Sequence, residues 1–128
     1  MIKISPRRAV AAAILFAGAA LAGPSSAHHS FAMFDMTRDV VLEGTVSRFQ
    51  FTNPHVWVYL STQDAAGQTV EYAIEGGSPT NLARVGWSRT TIRTGDRATV
   101  HIHPLRSGAN GGSLISIAIP GRQIGRPQ

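Results

Sequence analysis

From Val40 to Ile119 the chain is written as short apolar runs interrupted by turn residues, a pattern that specifies strands and leaves little room for helices. Five runs can be read. In the first, Val40 to Phe51, Leu42, Gly44 and Val46 share one face, yet Phe49 and Phe51 fall on the opposite parity. A two-residue period that changes phase implies a bulge or a sharp bend, and Gly44 is a second soft point. Thr52-Asn53-Pro54 ends that run. A second strand is expected over His55 to Thr62, with Val56, Val58 and Leu60 on one side and His55, Trp57 and Tyr59 on the other.

Asp64-Ala65-Ala66-Gly67 is a hairpin turn into a third strand, Gln68 to Glu75, whose apolar side is Val70, Tyr72 and Ile74. Glu71 and Glu75 lie on its polar side and are expected to face solvent. One helical signal follows: Gly76-Gly77, Ser78 as N-cap, Pro79 at the first helical position, then Asn81-Leu82-Ala83-Arg84-Val85 and Gly86 as the stop. Arg93-Thr94-Gly95-Asp96 turns into a fourth strand, Arg97 to Pro104. Ser107 to Gly112 reads as a flexible loop, and Leu114 to Ile119 as the fifth strand.

Three strands, a short helix and two more strands give an all-β domain with one short helix. A first strand long enough to serve two sheets makes it a five-stranded barrel of the OB-fold type. An immunoglobulin-like sandwich is the alternative, but it calls for about seven strands and no helix. Residues 40–120 are assigned to the barrel, 28–39 to an N-terminal segment and 121–128 to a disordered tail.

The first 27 residues have the layout of a secretory leader. Lys3, Arg7 and Arg8 precede an apolar run from Ala9 to Ala22, and small residues lead to Ala27. That run is shorter than the roughly 20 residues that span a bilayer, so cleavage before His28 is expected rather than anchoring, with no membrane span afterwards. The twin-arginine and general export routes both stay open. The expected location is the periplasm. There is no cysteine, so an oxidising compartment offers the fold no disulfide.

Loss of the leader removes three of the twelve basic residues and none of the seven acids, leaving a net charge near +2 with no lysine. Nothing there tracks a phosphate backbone, and nucleic acid is not an expected partner.

A chain that begins at His28 presents an α-amino group and an imidazole to one ion, with His29 adjacent. Neutral nitrogen donors of this kind suit Cu(II), Ni(II) and Zn(II), and the divalent affinity order favours copper. His55, placed just after the Asn-Pro turn, is the expected third ligand. His101 and His103 share one side of the fourth strand and are weaker candidates, and Met33 and Met36 offer soft sulfurs for Cu(I). The plain alternative is that these histidines are solvated polar residues. Trp57 and Tyr59 form a candidate aromatic ligand face, against the alternative that the rings are packed beneath the N-terminal segment or the helix. The acids are scattered, and spacing assembles no nucleophile, base and orienting group, so an enzyme is not expected.

Several local motifs recur together: His28-His29-Ser30-Phe31, Phe34-Asp35, Leu42-Glu43-Gly44-Thr45-Val46, Thr52-Asn53-Pro54-His55, Gly77-Ser78-Pro79, Gly86-Trp87 and Gly95-Asp96. Through them the chain resembles a family of small exported proteins of Gram-negative bacteria grouped as a domain of unknown function. The resemblance implies export and a single domain. His28, His29 and His55 fall within its motifs, whereas His101 and His103 do not. Two functions are carried forward: an accessory protein binding copper or a similar ion, and a metal-free module binding a small molecule or a periplasmic partner protein.

Overall fold

The computed structural model describes residues 31–126. The proposed leader and the pair His28 and His29 lie outside them.

Five strands close into a barrel in the order β1-β2-β3-β5-β4: β1 Val40–Gln50, β2 Trp57–Gln63, β3 Thr69–Glu75, β4 Arg97–Pro104 and β5 Gly111–Ala118. The one α-helix, α1, spans Pro79–Arg84, between β3 and β4. A single closed sheet of five strands excludes the sandwich alternative.

Closure rests on β1, which pairs antiparallel with β4 along its first half and with β2 along its second. Val46 faces Leu60, but Arg48 faces Tyr59, so Ser47 is an extra residue. This bulge is the phase change seen in the apolar pattern, and it curls the strand from one neighbour to the other.

The last seam is parallel: Ala73 pairs with Gly111 and Ile74 with Gly112. Gly111 and Gly112, expected in a flexible loop, are therefore the start of β5. The physical reason is close approach. A Cβ on Gly111 would lie 2.8 Å from the Ala73 carbonyl oxygen, and one on Gly112 would lie 2.9 Å from Ile102 Cδ1. Glycine here is what lets backbones meet.

Val46, Val58, Leu60, Ile74, Val100 and Ile102 fill the barrel and are at most 1% exposed. Helix α1 plugs one end. Ser78 caps it, accepting a hydrogen bond from the Asn81 amide at 3.2 Å, and Gly86 ends it with a φ of 90°. At two turns or less the helix depends on packing, which buried Leu82 provides beside Trp87 and Ile92.

Residues 121–126, expected to be disordered, are tied across this end. Arg122 grips the Asp96 carboxylate with two hydrogen bonds of 2.6 and 2.9 Å, Trp87 Nε1 donates to the Gly125 carbonyl at 2.6 Å, and Ile124 rests on the core. Burial by itself would raise the Asp96 carboxyl. The Arg93 amide and the Arg122 guanidinium outweigh it and hold the group below its ordinary value. A depressed carboxylate stabilises the fold above its unfolded pKa, and that contribution is lost as pH falls towards the folded value. The urea midpoint of the native chain should accordingly fall more steeply below about pH 4 than that of Asp96→Asn. Parallel curves for the two proteins would mean that the Asp96–Arg122 clasp does not bear on stability.

Candidate functional site

Chemistry-bearing side chains gather on the outer face of β1, β2 and β3. The β2–β3 hairpin sets Trp57 directly opposite Glu75, and Tyr59 opposite Ala73, while β1 brings Gln50 and Arg48 beside the two rings. Val56 and Val58 point inward and are fully buried, which turns His55, Trp57 and Tyr59 outward as the alternation requires.

His55 follows a cis Asn53–Pro54 peptide. The next residue is locked to the exit of β3, because the Val56 amide donates to the Gly77 carbonyl at 3.0 Å and the Gly76 amide to the Val56 carbonyl at 2.8 Å. This holds His55 against Glu75, and His55 Nδ1 is hydrogen-bonded to Glu75 Oε1. Glu75 is 8% exposed and is the one buried charged residue among the described residues. The expectation that it faces solvent is corrected here. A carboxylate taken out of water needs a partner, and His55 is that partner. In a neutral imidazole, an Nδ1–H donated to the carboxylate puts the ring's lone pair on Nε2, the arrangement that orients a metal-ligating histidine.

Trp57 and Tyr59 stack on one another with centroids 6.4 Å apart and planes 28° apart, rather than packing under the helix. The Arg48 guanidinium lies 3.8 Å from the Tyr59 ring centroid, and the Tyr59 hydroxyl donates to Gln50 Oε1 at 3.3 Å. Ser47 in the bulge donates to Glu71 at 2.6 Å. The result is a half-buried platform of two rings and one guanidinium, beside the His55–Glu75 pair.

His101 and His103 are engaged elsewhere: His101 Nδ1 with Asp39 at 3.0 Å, and His103 Nδ1 with the Arg38 carbonyl at 2.7 Å. They fasten the N-terminal segment to β4. That segment is also moored to the loop before β5, where the Arg106 amide donates to the Met33 carbonyl at 2.9 Å and its Nε to the Ala32 carbonyl at 3.1 Å. Among the described residues no cluster of three or more histidine and carboxylate side chains could hold a metal ion, so His55 with Glu75 is at most part of a centre.

Glu75 and Arg48 were not singled out from sequence. Counting outward from the Asp64–Gly67 turn pairs Trp57 with Glu75, so that signal was present. Arg48 was hidden, because its register depends on the bulge at Ser47.

The closed five-stranded barrel with a capping helix and a ring-bearing outer face is an OB-fold. The chain belongs to the family of unknown function DUF6152, whose sequence profile matches residues 17–114. It is similar in fold to a crystal structure of the mitochondrial single-stranded DNA-binding protein Rim1 from S. cerevisiae. The TM-score is 0.50 and the identity 15%, over 67% of this chain and 96% of that one. At that identity the likeness speaks for the fold alone. No curated protein matches the chain in sequence. Among the described residues no helix is long and apolar enough to cross a membrane.

Proposed function

We propose that this chain is an exported, periplasmic metal-binding accessory protein rather than an enzyme. His55 is the ligand supplied by the folded barrel, and His28 and His29 supply the remainder after leader removal, with copper the favoured ion. The observation that carries this reading is the buried Glu75 carboxylate holding the Nδ1 side of His55. The barrel retains one buried charge among its described residues, and it is spent on orienting an imidazole. The mooring of the N-terminal segment beside the start of β5, the strand next to β3, supports it further.

Removing a carboxylate that orients a ligating histidine typically costs about 10–100-fold in affinity. Cu(II) titration by calorimetry of the mature chain beginning at His28 should therefore show Glu75→Gln weaker by that factor and His55→Ala weaker still. Equal affinity in all three proteins would remove His55 from the site.

The second reading rests on the Trp57–Tyr59 stack with Arg48 upon it: a metal-free module that binds a small ring-bearing molecule on this platform. Rim1 is named for single-stranded DNA, but here Glu71 and Glu75 share the face and the described chain has no lysine, so a polyanion meets like charge. Failure of the copper titration would leave this reading standing.

A further inference from the structure

An open cleft of about 420 Å³ lies between the β1–β2 loop, the start of α1 and the turn that follows the helix. Its apolar wall is made by Phe51, Pro79 and Trp87. These rings are fixed: Trp87 is 3% exposed, Phe49 bridges them with centroids 6.3 Å from Trp87 and 6.1 Å from Phe51, and Trp87 Nε1 is anchored on Gly125. The polar side carries Asn53 from the loop and Arg89 from the turn.

Arg89 is the one charged residue lining the cleft. Its guanidinium makes no ion pair or hydrogen bond among the described residues, in contrast to Arg106 and Arg122. The turn that carries it is clamped. The Ser88 amide donates to Thr91 Oγ1 at 2.8 Å, the Thr90 amide to Ser88 Oγ at 3.3 Å, and the Thr91 amide to the Ser88 carbonyl at 3.1 Å. An exposed donor fork on a clamped turn, beside a rigid aromatic wall and with no acid in the cleft lining, matches a small molecule that is apolar at one end and a carboxylate at the other.

We infer that this cleft binds small aromatic or alicyclic monocarboxylates, with the ring against Phe51 and Pro79, which Trp87 backs from beneath, and the carboxylate on Arg89. The site is separate from the metal reading and needs no ion, so it is tested on metal-free protein. Benzoate is the probe, and benzyl alcohol its uncharged counterpart. In a ¹⁵N–¹H correlation titration, benzoate should produce saturable shifts at Asn53, Ser88, Arg89 and the Trp87 indole. Arg89→Gln should weaken binding about tenfold while leaving the rest of the spectrum in place, and benzyl alcohol should bind the native protein about tenfold more weakly than benzoate. No saturable shift, or equal binding of benzoate to both proteins, overturns the inference.

Discussion

Gly44→Val is expected to destabilise the barrel by about 3 kcal/mol. Gly44 is where β1 leaves β4, pairing with Ala98, and takes up β2, since its neighbour Thr45 pairs with both Arg97 and Ser61. A Cβ there would be driven into the Ser61 carbonyl oxygen and would lie 3.1 Å from Leu60 Cγ. Relief requires β1 and β2 to separate, and the chain has no disulfide to hold them. A domain of this size has only about 5–15 kcal/mol in total, so the loss corresponds to a fall in Tm of roughly 12–24 °C. Gly67→Ala is the control. Its φ of 77° disfavours a side chain but no atom lies within 4 Å, so the cost is limited to about 1 kcal/mol of backbone strain. Thermal unfolding followed by circular dichroism ranks the two variants. Equal midpoints would show that close approach at Gly44 does not limit the fold.

Much of this architecture was legible because strand patterning and helix capping are local. Ser78, Pro79 and Gly86 mark the ends of α1 without reference to anything distant. The switch of parity between Val46 and Phe49 announced the bulge at Ser47. What went unread depended on chain segments meeting from far apart. Gly111 and Gly112 look like loop in isolation, and the seams with β3 and β4 make them strand. The tail after Pro120 has little apolar content of its own. It is held by partners 26 to 38 residues away, Asp96 for Arg122 and Trp87 for Gly125.

The candidate site divides in the same way. Trp57 and Tyr59 were placed on the outward side by simple alternation. His55 was flagged by its position after Asn53-Pro54, but the meaning of that position came from Glu75, which sequence alone treats as an ordinary solvated acid. The pair His101 and His103 illustrates the converse. Sharing a strand face made them look like joint ligands, whereas Asp39 and the Arg38 carbonyl engage them separately.

The largest functional effect expected is at the amino terminus. If the ion is gripped by the His28 amine together with an imidazole, acetylating that amine removes the donor without supplying another, while the side chains of His28, His29, His55 and Glu75 all remain. The acetyl group is added outside residues 31–126, whose fold is described, so a change in affinity reports on coordination. The decisive measurement is a calorimetric Cu(II) titration of the mature chain beside the same chain acetylated at His28. The acetylated chain is expected to bind about 100-fold more weakly, equivalent to roughly 2.7 kcal/mol. Identical affinities would contradict an ion held by the terminal amine.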